Sequence, residues 1–119
     1  MKTVLSYILS SIYYIFYGIL LLFFHGLQWL GFNIAKYKGH KIAVDFMNCT
    51  LTYLLYILGT RIKFISKYPI PKNAPLIIVS NHQSMNDICP LSCFLKMHHP
   101  KFVSKIELGK GIPSVSYNL

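Results

Sequence analysis

The sequence has few acidic residues and few charged residues of any kind. Only three of its 119 residues are Asp or Glu, and charged residues make up 13%, about half the share of an ordinary soluble chain. Hydrophobic residues reach 54% and are concentrated before residue 60, while the net charge is +9. This composition argues against a soluble domain throughout. It predicts a membrane segment followed by a small globular region.

Cysteine is also sparse, and the number of cysteines is odd. Cys49, Cys89 and Cys93 do not form the dense, even set that staples small secreted domains. Neither the cysteines nor the pair His98-His99 has the spacing of a zinc site. We therefore interpret the cysteines as small buried apolar residues in a reducing compartment, and we predict no metal site.

No Lys, Arg, Asp or Glu occurs between residues 3 and 35. Residues 4–24 would form a helix of about 32 Å, close to the ~30 Å hydrocarbon core of a bilayer. The segment is longer than the apolar region of a signal peptide and lacks a small-x-small cleavage site, which favours an uncleaved anchor over a signal peptide. Lysines follow this segment while only Lys2 precedes it, so the carboxyl-terminal side is predicted to be cytoplasmic.

A second apolar stretch covers residues 42–58 and carries a narrow polar stripe. Lys41, Asp45, Asn48 and Thr52 follow helical spacings of four, three and four. The helix is short for a full span, so we expect it to lie in one leaflet with the stripe toward water or protein. A functional role for Asp45 is the alternative. Gly59 is expected to end the helix.

The remaining residues predict an α/β fold. Polar and apolar residues alternate in the first predicted strand, the second is a fully apolar run, and a helix and a third strand follow a polar loop. The strands are predicted at 61–67, 76–79 and 101–104, and the helix at 88–96. The chain is thus divided into a membrane anchor over 1–60, with apolar helices at 4–35 and 42–58, and a sheet-and-helix domain over 61–119.

His82 and Asp87 follow the predicted central strand, where sites form in α/β folds. A histidine acts as a general base near neutral pH when a carboxylate orients it. Residues five apart do not meet on a continuous helix, so we expect His82 in the loop and Asp87 near the first helical turn. Ser84 fits an N-cap, and Pro90 favours a helix start nearer Asn86. The alternative is that the spacing of His82 and Asp87 arises by chance and that Asp87 only caps the helix.

The residues Ser80-Asn81-His82-Gln83-Ser84-Met85-Asn86-Asp87 resemble the N-H-x4-D block of the glycerolipid acyltransferase family. The two apolar segments resemble the anchor of bacterial 1-acylglycerol-3-phosphate acyltransferases. Lys105-Ile106-Glu107-Leu108, with Pro113 after it, resembles that family's K-x-E-L segment. The resemblance covers nearly the whole chain.

This resemblance implies transfer of a fatty acyl group from acyl-coenzyme A or acyl carrier protein to lysophosphatidate, giving phosphatidate, with no cofactor. It implies that His82 is the general base and Asp87 its partner. Asn81 would shape the substrate-binding loop, and Lys105 would bind the acceptor phosphate; a solvated surface lysine is the alternative for Lys105. Membrane lipids are the expected partners, with the site on the cytoplasmic face. Nucleic acid is not expected, because the lysines flank apolar stretches.

The sequence also departs from the family, because the later arginine-bearing blocks are absent. We expect the chain to be the amino-terminal part of a longer enzyme and to be inactive alone. Two alternatives stay open. One is an acyltransferase with another acceptor, such as glycerol 3-phosphate or a lyso-aminolipid. The other is a non-catalytic small membrane protein that acts as an adaptor.

Overall fold

The computed structural model of the chain describes residues 2–72, 74–81 and 83–103, and its largest element is a broken helix. Helix α1 covers Lys2–Leu54 and leaves helical geometry at Ala35 (φ −121°, ψ 17°) and Lys36 (φ 49°, ψ −130°). A positive φ is uncommon for a residue other than glycine, and here it accompanies a reversal of the chain. We call residues 2–34 the first arm and residues 37–54 the second arm.

The two arms touch backbone to backbone at Gly31 and Gly39, close to the break. A Cβ atom on Gly39 would lie 2.3 Å from the carbonyl oxygen of Gly31, and one on Gly31 would lie 2.8 Å from the oxygen of Gly39. Both distances are far below van der Waals contact. Glycine is therefore required on both sides of this crossing, since any side chain would push the arms apart.

Away from the crossing, the arms pack antiparallel through apolar side chains. The rings of Phe24 and Phe46 meet edge to face with centroids 5.5 Å apart. Gln28 is fully buried and its Nε2 donates to the sulfur of Met47 at 3.2 Å. The buried core of the hairpin consists of Leu21, Phe24, Met47 and Leu51.

The first arm is apolar on two opposite faces. One face is buried and includes Tyr13, Leu21 and Phe24 at helical spacing, together with one polar residue, Gln28, whose side chain bonds to Met47. The other face is exposed, and its residues also recur every three or four positions: Val4, Ile8, Ile12, Ile15, Ile19 and Leu22. We call this set the outer stripe. A helix that is apolar all round needs an apolar environment on the side that the protein does not cover.

The polar stripe of the second arm faces protein, which is one of the two orientations that the sequence predicted. Asn48 and Thr52 are buried, and the Thr52 hydroxyl donates to the Asn48 carbonyl at 2.7 Å. Lys41 pairs with Asp45 and also donates to the Lys96 carbonyl oxygen at 3.3 Å. Asp45 therefore has a structural partner on its own helix.

The second arm ends as the sequence indicates. A 3-10 turn over Leu55–Leu58 follows α1, and Gly59 closes it in the left-handed region at φ 74°. The predicted stop at Gly59 is confirmed. Later in the chain come a 3-10 turn at Met85–Asp87, helix α2 at Ile88–Phe94 and a 3-10 turn at Lys96–His98. Helix α2 packs against the hairpin, where Cys89 contacts the buried core.

The prediction of an α/β fold is wrong. Over residues 2–72, 74–81 and 83–103 the chain forms helices and turns and no β-strand. The predicted strand at 61–67 and the described part of 101–104 are non-regular. The predicted central strand at 76–79 is also non-regular, with Ile77 97% and Val79 91% exposed. A strand exists only when a neighbour pairs with its backbone groups, and these segments have no ladder partner among the described residues.

Within the described residues, one helical segment, Thr3–Leu58, is long and apolar enough to cross a membrane. This criterion concerns length and composition only. Core helices of soluble proteins and signal sequences meet it too, so the helix by itself is weak support for membrane association.

Candidate active site

The turn before α2 is held by a reciprocal cap. Ser84 has extended backbone geometry (φ −149°, ψ 148°), and its hydroxyl oxygen accepts from the Asn86 N–H at 3.2 Å. In return, Oδ2 of Asp87 accepts from the Ser84 N–H at 2.9 Å. The predicted capping box with Ser84 as N-cap is confirmed.

Asp87 also reaches one residue further back along the chain. The same Oδ2 accepts from the Gln83 N–H at 2.9 Å. The Asp87 carboxylate therefore folds back onto the backbone of the loop that follows His82. The predicted contact between His82 and Asp87, which are five residues apart, requires such a turn. Two backbone N–H groups thus fix the position of the carboxylate.

The position of Pro90 fits this arrangement. The turn Met85–Asp87 is 3-10, and the α-helical part begins only at Ile88, so Pro90 is the third residue of α2. The N–H groups of a first helical turn have no intrahelical acceptor, and a proline there costs little. The delayed start of α2 removes the conflict between Pro90 and a cap at Ser84.

The structure describes two of the four predicted site residues. Asn81 is exposed in the loop, and Asp87 is half-buried in the turn. His82 and Lys105 lie outside the described residues. The contact between His82 and Asp87, and the binding of a phosphate by Lys105, therefore stay predictions.

The turn is attached to the first arm by a hydrogen bond that the sequence did not indicate. The Tyr13 hydroxyl donates to Oδ1 of Asn86 at 3.0 Å. Tyr13 is 2% exposed, and the two residues are 73 positions apart. On the sequence alone, Tyr13 is one more aromatic residue in an apolar segment, and no local pattern distinguishes it.

The cysteines differ from their interpretation as three apolar fillers. Cys49 of the second arm and Cys93 of α2 form a disulfide, with Cα atoms 4.9 Å apart. The turn before α2 is thus fixed to the first arm through Asn86, and α2 itself is fixed to the second arm through Cys93. The sequence did not indicate this disulfide, because two cysteines 44 positions apart give no local pattern that shows their pairing.

Cys89 packs as expected. It lies on α2 against the buried core, and burial raises the pKa of its thiol to about 11. A thiol with such a pKa is neutral at physiological pH and is a weak nucleophile. Cys89 is therefore a packing residue and not a candidate nucleophile.

The described part of the chain contains no group of three or more His, Cys, Asp or Glu side chains that could hold a metal ion. It contains two open grooves of about 440 and 430 Å3. The first lies between the segment from Phe64 to Lys72 and the end of α2, and the second between the second arm and Lys96. Neither groove is lined by the described residues of the loop and turn, 81 and 83–87.

Residues 61–117, just under half of the chain, match the family model described as Acyltransferase. The match includes the loop, the capped turn and α2. It supports the acyltransferase family and, with it, acyl transfer in general. Neither the curated proteins nor the solved structures gave a match.

Proposed function

We propose that the chain contributes the proton-transfer part of an enzyme that moves a fatty acyl group from acyl-coenzyme A or acyl carrier protein to lysophosphatidate, giving phosphatidate. The observation that carries this proposal is the Asp87 carboxylate. Two backbone N–H groups hold it against the loop that follows His82, inside the segment that matches the acyltransferase family.

In the proposed reaction, His82 takes the proton from the acceptor hydroxyl, and the hydroxyl oxygen attacks the thioester carbonyl carbon. The tetrahedral intermediate then collapses. The carbon–sulfur bond breaks, and the leaving thiolate receives the proton from His82. Asp87 orients the imidazole and stabilises its charged form, as the carboxylate does in a Ser-His-Asp triad. No acyl-enzyme is needed.

The other two site residues have supporting roles. Asn81 immediately precedes His82 and is proposed to shape the loop beside the bound acceptor. Lys105 is proposed to bind the acceptor phosphate, because an ammonium group is a suitable point charge for it. The excess of basic residues, +9 over the chain, favours an anionic acceptor and an anionic membrane surface.

We further propose that the hairpin lies in one leaflet of a membrane, with the turn at the water interface. The outer stripe supports lipid contact on one side of the first arm. Tyr13 lies about 13 Å along the apolar segment 4–24. If that segment stood upright across a bilayer, the turn bonded to Tyr13 would bring Asp87 to mid-membrane depth. A charged group there costs about 2.5–3.5 kcal/mol or more, which favours a hairpin that lies along the surface.

The experiment is an acyl-transfer assay with the full-length protein in anionic vesicles. Acyl-coenzyme A or acyl carrier protein is the donor, and lysophosphatidate is compared with glycerol 3-phosphate and a lyso-aminolipid. We expect phosphatidate formation that His82→Ala abolishes and His98→Ala leaves unchanged. Co-sedimentation with the vesicles should be equal for all three proteins.

Each other outcome has a definite meaning. Faster transfer to another acceptor would retain the mechanism and replace the substrate. Equal transfer by His82→Ala would refute the catalytic assignment. Absence of transfer to every acceptor, with vesicle binding intact, would favour a non-catalytic membrane protein.

A further inference from the structure

The hydrogen bond between Tyr13 and Asn86 joins the apolar hairpin to the candidate site. The acceptor, Oδ1 of Asn86, lies in the middle of the 3-10 turn, and the donor is a hydroxyl on the buried face of the first arm. Because α2 begins directly after this turn, the bond fixes the amino-terminal end of α2 as well.

Asn86 is held at both its backbone and its side chain. Its N–H donates to the Ser84 hydroxyl, and its side-chain oxygen accepts from Tyr13. Asp87 is the next residue and bonds back to the Ser84 N–H. A displacement of Asn86 would therefore also displace the Asp87 carboxylate and the loop that it holds.

Packing alone does not explain why residue 13 carries a hydroxyl group. Its ring packs among aromatic neighbours, 5.3 Å from the ring of Tyr14 and 5.8 Å from that of Tyr17 between centroids. A phenylalanine would fill the same volume without a polar group to bury. Burying a hydroxyl is costly unless it is hydrogen-bonded, and Asn86 supplies the partner.

We propose that Tyr13 is a positioning residue for acyl transfer: its hydroxyl, through Asn86, sets the position of the turn that carries Asp87. This inference rests on the proposed function of His82 and Asp87. Tyr13 acts on the turn through its hydrogen bond to Asn86. The membrane-facing hairpin thereby takes part in aligning the site as well as in anchoring it.

The test compares Tyr13→Phe with Tyr14→Phe in the full-length protein in anionic vesicles. Both variants lose one phenolic hydroxyl from adjacent residues, but the Tyr14 side chain is exposed. We expect Tyr13→Phe to lower kcat about tenfold, equivalent to about 1.4 kcal/mol, with KM changed less than about twofold. Tyr14→Phe should match the unmodified protein. Misalignment of the base lowers kcat because it acts mainly on the transition state. Loss of folded enzyme would lower the measured rate too, but it would also lower the unfolding temperature.

A double-variant cycle provides a second, independent measurement. If Tyr13 acts only through Asn86, then Tyr13→Phe should lower kcat no further in a protein that already carries Asn86→Ala. Effects that multiply would overturn the proposal, as would an unchanged kcat in Tyr13→Phe.

His82→Ala distinguishes failure of this proposal from failure of the proposed function. If His82→Ala abolishes transfer while Tyr13→Phe has no effect, only the positioning role falls. If His82→Ala keeps full activity, the proposed function falls, and the positioning role falls with it.

Discussion

Replacing Gly39 with alanine is expected to separate the two arms of α1. The added methyl carbon would lie 2.3 Å from the Gly31 carbonyl oxygen, 2.9 Å from the Gly31 carbonyl carbon and 3.0 Å from the Ala35 Cβ. The first two are backbone atoms and have no rotamer to yield. The arms must therefore move apart by about 1 Å, and a gap of that size removes up to half of the dispersion energy of the atoms across it.

The magnitude follows from two opposing effects. Overpacking of a core costs about 1–3 kcal/mol, and a clash with backbone falls near the top, at about 3 kcal/mol. Alanine is better than glycine inside a helix by about 1 kcal/mol. The expected net loss in the free energy of unfolding is thus about 2 kcal/mol, which corresponds to a melting temperature lower by about 8 °C.

Gly18→Ala is the matched control. Gly18 is on the same helix, and a Cβ atom there would meet nothing within 4 Å. This variant gains helix propensity without a clash, so its melting temperature should rise by about 4 °C. The assay is thermal unfolding in mild detergent, followed by far-ultraviolet circular dichroism. If Gly39→Ala melted at or above Gly18→Ala, the backbone crossing at Gly31 would be refuted.

The remaining predictions concern the cysteines. Cys49→Ser should lower the free energy of unfolding by about 4 kcal/mol relative to the oxidised protein, because the bond to Cys93 closes a loop of 44 residues; equal denaturation midpoints would contradict the bond. Disulfides are rare in the cytosol, so the bond and the predicted cytoplasmic face make different predictions. In intact cells, the Cys49 and Cys93 thiols should be labelled only after reduction if the bond is present, and before reduction if both cysteines are kept reduced. With its pKa raised from 9.0 to about 11 by burial, Cys89 should react with iodoacetamide at pH 8 about 100-fold more slowly than an exposed thiol of pKa 9.0. Native-state labelling of Cys89 as fast as that of the unfolded chain would contradict its burial. The raised pKa also means that burial of the neutral Cys89 thiol adds to the free energy of unfolding below pH 9, and that this contribution is lost as the pH rises through about 11.

The features that the sequence predicted correctly are local. The cap at Ser84 and the turn of Asp87 depend on bonds between residues two to four positions apart, and their residue types carry the signal. The stop at Gly59 depends on one residue that tolerates a positive φ. Local hydrogen bonds and backbone preferences are enough to specify these features.

The features that the sequence missed depend on distant partners. The apolar run at 76–79 has the composition of a buried strand, but a strand also needs a neighbour, which the pattern does not provide. The bond from Tyr13 to Asn86 and the disulfide from Cys49 to Cys93 join residues 73 and 44 positions apart. Such pairs are decided by how the hairpin and α2 pack, and their residue types do not reveal the pairing.

The division into an anchor over 1–60 and an acyltransferase part over 61–119 stays a prediction. The family match begins at residue 61, directly after the hairpin and Gly59. The outer stripe explains why the first arm reads as a membrane segment. The buried face of the same arm explains how that segment also supports the turn at Asp87.

The measurement that tests the catalytic role of the turn most directly compares Asp87→Asn with Ser84→Ala in the acyl-transfer assay. Both changes weaken the cap, but only the first removes the charge that would support His82. We predict that Ser84→Ala costs about 1 kcal/mol of stability and keeps activity within about tenfold. Asp87→Asn should lower kcat by about 10³- to 10⁴-fold, the size of the effect in a Ser-His-Asp triad. Equal activity in the two variants would show that Asp87 is only a helix cap and would contradict the account.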